Sequence, residues 1–205
     1  MFLKINNAYL VCSFICLGNA SFAGNLSLYS FSEEGPVTGM PNLSSGDGNV
    51  AIGNEALLAI TSGSNNTAVG DEALRSNTSG LKNTAVGKNA LYSNTYGQQN
   101  IAVGFEALKN NTGGNYNTAI GAEANRSNTS GSLNTSVGYE ALETNTSGSA
   151  NTALGSRALR YNSSGSNNTA VGVYSLDANT AGAQNTAIGV NSLGSNTTGS
   201  NNTAQ

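Results

Sequence analysis

The chain of 205 residues has no histidine, no tryptophan, two cysteines and two prolines, and only 9% of its residues are charged. Each shortage removes a class of function. Without histidine there is no imidazole base or imidazole metal ligand. Both cysteines, Cys12 and Cys16, fall in an N-terminal stretch expected to be removed, which leaves no thiol for disulfide, zinc or nucleophilic chemistry. Eight Lys and Arg against eleven Asp and Glu give a formal net charge of −3. No basic surface stands ready for a phosphate backbone, so nucleic acid is not an expected partner. The same low charge argues against a chain kept open by self-repulsion.

Asn, Thr, Ser, Gly and Ala fill the space, and they are strictly ordered. "NTAVGDEALRSNTSGLK", residues 66–82, is followed at once by "NTAVGKNALYSNTYGQQ", and from Asn49 onward the period is 17 without an insertion. Nine full units and four residues of a tenth follow one another. Order at a fixed period means stacked repeats.

Counting the leading Asn as first, the third place of a unit is Ala, or once Ser136. The fourth is always aliphatic: Ile52, Val69, Val86, Val103, Ile120, Val137, Leu154, Val171 and Ile188. The fifth is always glycine: Gly53, Gly70, Gly87, Gly104, Gly121, Gly138, Gly155, Gly172 and Gly189. The ninth is Leu57, Leu74, Leu91, Leu108, Leu142, Leu159, Leu176 and Leu193, with Asn125 the exception. The twelfth is Asn except for Ile60, and the fifteenth is glycine from Gly63 to Gly199.

Two glycines per unit predict two corners, since Gly takes positive φ without a side-chain penalty. Between them, "NTAV" and "AL" with a neighbour are the right length for short strands. "DEALRS" alone has fair helix propensity, but 17 residues with two fixed glycines cannot form a helical hairpin, which needs about 34. The expected fold is all-β, a parallel β-solenoid or β-roll with one 17-residue unit per coil. Equivalent residues then stack about 4.8 Å apart, giving a rod of roughly 45 Å. The fourth-place aliphatics and ninth-place leucines are the expected inner columns, and the Asn and Thr places the expected ladders along the axis. One aliphatic and one Leu per coil make a thin core. More apolar contact is therefore expected from sister chains, through the small third-place Ala column turned outward by strand alternation.

Residues 1–23 stand apart. Lys4 gives a thin positive start, "YLVCSFICLG" is a short apolar run, and Ser21 and Ala23, on either side of Phe22, place small residues at a cleavage site. A signal peptide is expected, with Gly24 as the mature start. A membrane anchor is the competing reading, but the run falls below the roughly 20 apolar residues needed to cross. No membrane span is expected in the mature chain. Residues 24–48 hold Pro36 and Pro41 and break the pattern. They read as an irregular lead-in in which Leu26 and Leu28 form a short capping strand. Residues 49–205 are the solenoid.

The phrase "NVAIGNEAL", Asn49 to Leu57, and its relatives "NTAVG", "NTAIG" and "NTSVG" resemble the head repeats of trimeric autotransporter adhesins of Gram-negative bacteria. The resemblance runs from Asn49 to Ala204 through the Ala, aliphatic and Gly columns, such as Ala68, Val69 and Gly70. It implies a left-handed roll, a homotrimer, placement on the outer membrane or cell surface, and binding to host matrix protein or glycan. Two features depart from that family. The unit is longer than its usual head repeat, and these 205 residues contain neither a heptad stalk nor a membrane barrel. Similar arrays in tail-spike-like fibres imply the alternative of a structural spacer.

An enzyme is the weakest reading. Glu55, Asp71, Glu72, Glu106, Glu123 and Glu140 sit at the sixth and seventh places and read as a loose, solvated acidic stripe. No cofactor and no metal is implied. Thr67, Thr84, Thr118, Thr135, Thr152, Thr169 and Thr186 form one column. Ice binding would require that column outward, yet two residues on stands the expected core aliphatic, so the threonines are expected inside. Specificity is left to the exceptional residues. Tyr92, Tyr96, Phe105, Tyr116, Tyr139, Tyr161 and Tyr174 occupy variable places near corners, where rings can stack on sugars, cover aliphatic edges or pack at a seam between subunits.

Overall fold

The computed structural model describes residues 2–5, 8–11, 26–28, 46 and 48–205. β1 (Phe2–Ile5) and β2 (Ala8–Val11) form a separate antiparallel pair. The expected cleavage site at Ala23 and most of the lead-in lie outside the described residues. β3 (Leu26–Leu28) pairs in parallel with the first coil and occupies one end of the main sheet.

Each unit then supplies one three-residue strand, in the order β4 (Val50–Ile52), β5 (Thr67–Val69), β6 (Thr84–Val86), β7 (Ile101–Val103), β8 (Thr118–Ile120), β9 (Thr135–Val137), β10 (Thr152–Leu154), β11 (Thr169–Val171) and β12 (Thr186–Ile188). β13 (Thr203–Ala204) ends the 11-stranded sheet. Every strand pairs in parallel with the next in a shift of 17 residues, as in Thr67 with Thr84 and Ala68 with Ala85. The fold is the expected all-β solenoid, and no helix occurs among the described residues.

The second stretch of each coil is not a strand. From the fifth to the twelfth place the backbone makes overlapping turns: Ala56 N–H donates to Gly53 O at 3.4 Å, Leu58 N–H to Glu55 O at 3.3 Å, and Ile60 N–H to Leu57 O at 3.2 Å. Glu55 and Leu57 take φ of 53° and 54°, and the same two places are left-handed in every coil. A positive φ at the third residue is what a type II turn requires. A left-handed conformation costs a non-glycine residue about 1–2 kcal/mol. It persists because both flanking coils bond the segment, with Leu57 N–H donating to Ala73 O at 3.0 Å and Glu72 N–H to Asn54 O at 2.8 Å. Burial of each Leu beneath the turns adds to that hold.

The strands are inverted relative to the expected alternation. The third-place alanines, from Ala51 to Ala187, are buried, whereas the fourth-place aliphatics face out. Val86, Ile120, Leu154 and Ile188 are exposed, and Ile52, Val69, Val103, Val137 and Val171 are half-buried. The reason is space. Inside each coil, the ninth-place Leu, the eighth-place Ala or Ser and two asparagines already fill the cross-section, so only a methyl fits opposite them. The Leu column is internal as expected, with Leu57, Leu74, Leu91, Leu108, Leu142, Leu159 and Leu176 buried and Leu193 partly so.

The remainder of the interior is amide. The first-place asparagines form one ladder: Asn66 N–H and Nδ2 donate to Asn49 Oδ1 at 3.0 and 3.1 Å, and Nδ2 also donates to Gly80 O at 2.8 Å. The twelfth-place asparagines form another, in which Asn94 Nδ2 donates to Asn77 Oδ1 at 2.8 Å and to Gly97 O at 3.1 Å. Each carboxamide thus finds the partners that burial demands. Ile60 opens the second ladder with a side chain that neither gives nor accepts a bond.

The two glycines have different causes. The fifth-place glycines take φ between 118° and 137°, but the fifteenth-place ones do not enter the left-handed region. Their place is taken there by the seventeenth residue, which is never Gly, as in Asn65 at 59°. The fifteenth place needs Gly for room, because a Cβ on Gly114 would stand 2.3 Å from Gly131 O and 2.5 Å from Asn111 Oδ1.

Candidate interaction faces

Side chains reach solvent on three sides of the coil. On the strand side, the second and fourth places alternate with the buried Ala column and point outward together. This face carries Thr at most second places, Val50 and Ile101 at the others, and the aliphatic column beside them. It bears no ionisable group in these two columns, and Ile101, Ile120 and Ile188 are 43, 41 and 44% exposed. The threonines are half-buried but outward, contrary to the inward expectation. The axial hydroxyl ladder comes instead from the thirteenth place, where Thr61 and Thr78 each donate to the carbonyl one coil on, at 2.9 and 3.1 Å.

On the turn side, the expected acidic stripe is an ion-pair network. Arg75 pairs with Glu55, and Lys88 meets Asp71 at 2.9 Å. Arg126 reaches Glu106 at 3.1 Å and Glu123 at 3.0 Å. Glu140 is buried between Arg157 at 2.8 Å and Arg160 at 3.1 Å, and Arg160 also holds Glu143 at 3.0 Å. Arg75, Lys109, Arg126 and Arg160 sit at the tenth place, three beyond the seventh-place acids, so one turn brings the two columns together, while Lys88 and Arg157 stand in the acidic columns themselves and pair with the coil before. Sequence spacing contained that signal. An extended segment, as expected from the sequence, hides it, because side chains three apart then point to opposite faces.

The network also claims four of the aromatic rings. Arg75 lies over Tyr92 and Arg157 over both Tyr139 and Tyr174, each 5.6 Å from the ring centre, and Arg160 is 4.8 Å from that of Tyr161. Tyr96, Phe105 and Tyr116 are exposed and outside it. Tyr96 and Tyr116 stand on the third side, where Gln99 Nε2 donates to Tyr116 Oη at 3.3 Å and Tyr96 lies against the bare backbone of Gly113. Leu133, 61% exposed, follows Tyr116 in the seventeenth-place column and extends this corner. Sequence reasoning gives no sign of it, because the seventeenth place varies between polar, charged, aromatic and aliphatic residues and carries no column pattern.

Among the described residues no group of three His, Cys, Asp or Glu could hold a metal ion, and no helix is long and apolar enough to cross a membrane. No family model, no curated protein and no solved structure matches the chain.

The network gives the rod an acid limit. Lys88 and Asn54 hydrogen bonds hold the Asp71 carboxyl below its ordinary value. Burial works to raise Glu140, but hydrogen bonds from Tyr139 and Arg157, with the Arg160 and Arg157 charges, outweigh it and keep that carboxyl low. Glu106 is held low against burial by Lys109 and Arg126 in the same way. A depressed carboxyl contributes stability above its unfolded value and loses it as pH falls through the folded one. Asp177, raised by burial, works in the opposite direction. The expected melting temperature is flat down to about pH 5 and falls below the ordinary values of 3.8 and 4.5. Glu140→Gln should shrink that fall, measured by circular dichroism from pH 7 to pH 2.5.

Proposed function

We propose that this protein is a non-enzymatic, exported, adhesin-like rod that works as a homotrimer and presents repeated side faces to host glycan or matrix protein at the cell surface. The observation that carries the reading is the unbroken aliphatic column on the outside of the strand face, beside uncharged neighbours. A contiguous exposed apolar strip of this kind marks an interaction site. Sister chains laying these strips together would bury the residues that a single thin coil leaves in water. The subunit contact therefore runs through Val, Ile and Leu, not through the Ala column, which is already buried. The network and the Tyr96–Tyr116 corner stay on the outside, where weak contacts repeated along a rod gain avidity. Resemblance to adhesin heads supports the same reading.

The test is light scattering on the exported protein, followed by glycan and matrix-protein arrays. A mass three times that of the single chain and retained binding are expected. The double variant Val103→Asp, Val137→Asp places two charges on the strand face. It should release monomers while leaving each coil folded by circular dichroism, since neither side chain is fully buried. A wild-type monomer removes the trimer, and a trimer that binds nothing leaves a fibre spacer.

A second reading rests on the outward Thr column. With Thr and aliphatic side chains stacked about 4.8 Å apart on one face, a monomeric rod has the regular, uncharged surface an ice-binding solenoid needs. It lacks the second outward Thr column, which an aliphatic one replaces. Thermal hysteresis and ice-shaping measurements on the same monomer decide it.

A further inference from the structure

We propose that the step between the fifth and sixth coils is a built-in joint, dividing the rod into two blocks that open separately. The buried apolar core is not continuous. It falls into one cluster ending at Ala124 and a second beginning at Ala141. Between them, Asn125 takes the place of Leu in the ninth column and is fully buried. Neither its Oδ1 nor its Nδ2 has a hydrogen-bond partner.

Two further irregularities meet at the same step. Ser136 is the one polar residue of the third-place column, and its Oγ donates to Thr118 O at a long 3.3 Å. In the first-place ladder, side-chain Nδ2 donates to the preceding Oδ1 at 3.2 Å from Asn117 to Asn100 and at 3.2 Å from Asn151 to Asn134. No such Nδ2 bond joins Asn134 to Asn117, where only the backbone N–H of Asn134 donates, at 3.0 Å. The Leu column, the Ala column and the amide ladder are therefore all weakened at one interface.

What crosses the step intact is the backbone, in the strand pairing of β8 with β9 and in turn-segment bonds such as Asn125 N–H to Ala141 O and Ser127 N–H to Glu143 O, both 2.9 Å, together with the Thr129 hydroxyl bond to Thr146 O at 2.9 Å, the second amide ladder and a 3.7 Å contact of Arg126 with Glu143. The joint holds register but has less to lose on opening. In a stack where each coil is braced only by its neighbours, cooperativity is limited by the weakest interface. A buried carboxamide without partners and missing apolar contacts both lower the coupling there. Coils one to five can then melt while the later coils stay folded, and the reverse. This division holds whatever the rod binds.

The experiment is peptide-resolved hydrogen exchange of the full exported protein across a series of urea concentrations below the main transition. Two groups of amides are expected, meeting between Asn117 and Asn134, with opening rates differing at least tenfold at some urea concentration. A single rate throughout, or smooth fraying from the ends without a step there, overturns the joint. The double variant Asn125→Leu, Ser136→Ala restores the residues that the other coils carry in those columns. It should bring the two groups to one opening rate, and two rates persisting in that variant also overturn the proposal.

Discussion

Gly104→Ala is expected to cost the rod several kcal/mol and to lower its urea midpoint more than any aliphatic-to-Ala change on the strand face. The new Cβ would stand 2.5 Å from Gly121 O, 2.6 Å from its carbonyl carbon and 3.1 Å from Ala122 N, at a φ of 137°. The backbone strain alone is about 1–3 kcal/mol, and overpacking adds about another 1–3 kcal/mol. Neither can relax by a local shift. Gly104 N–H donates to Val86 O at 2.8 Å and Gly121 N–H to Val103 O at 2.8 Å, so the crowded carbonyl belongs to a coil already tied to this one. Gly113→Ala is the control. Its Cβ would meet the Tyr96 ring at 2.2 Å, but that ring is 60% exposed and free to swing away. The expected loss there is within about 0.5 kcal/mol. Equal losses in the two variants, read by urea unfolding, would contradict the stacking of the fifth-place column.

Asn151→Ala should be among the most damaging alanine substitutions of a polar residue. Asn151 Oδ1 accepts from Asn168 N–H at 3.0 Å and from Asn168 Nδ2 at 3.2 Å, while its own Nδ2 donates to Gly165 O at 2.8 Å. Alanine leaves the buried Asn168 N–H without an acceptor, which costs about 1–3 kcal/mol. The emptied volume adds to this, for a total of about 3 kcal/mol. Asn151→Asp keeps the acceptor for Asn168 but brings a carboxylate into the interior. Burial raises such a carboxyl, so at pH 7 the variant should be less stable than Asn151→Ala and should recover as pH falls and the group protonates. Asn202→Ala, at the last and partly exposed rung, should change little. Melting curves at pH 7 and pH 5 distinguish the three.

Period, coil length and the absence of helix were legible because they depend only on spacing and on glycine. The phase of the strand was not. Alternation states that Ala68 and Val69 face opposite ways, but both are apolar, and the usual preference for the larger group inside chose the wrong one. What decides is the volume left by Leu74, Asn66 and Asn77, three buried side chains from other parts of the coil. The turn segment was misread for a different reason. Leu74 at a φ of 51° and Glu72 at 57° are conformations that propensity discourages, and only bonds from adjacent coils maintain them. The ion pairs were lost with it, since Glu72 and Arg75 meet only once the segment turns. Of the aromatic residues, sequence could place all seven near corners. It could not separate those under a guanidinium from Tyr96 and Tyr116, which are not.

Because the ladder bonds join a residue to its equivalent 17 positions away, the rod tolerates only one kind of length change. Removing or duplicating 17 codons restores the strand pairing and the amide ladders with the same geometry, whereas losing a single residue from one coil puts bulky groups into sites that accept a methyl or a hydrogen. Slippage between neighbouring copies of the gene segment would therefore yield shorter or longer rods that still fold, in steps of about 4.8 Å. The length of the rod can then change without touching the cross-section at all.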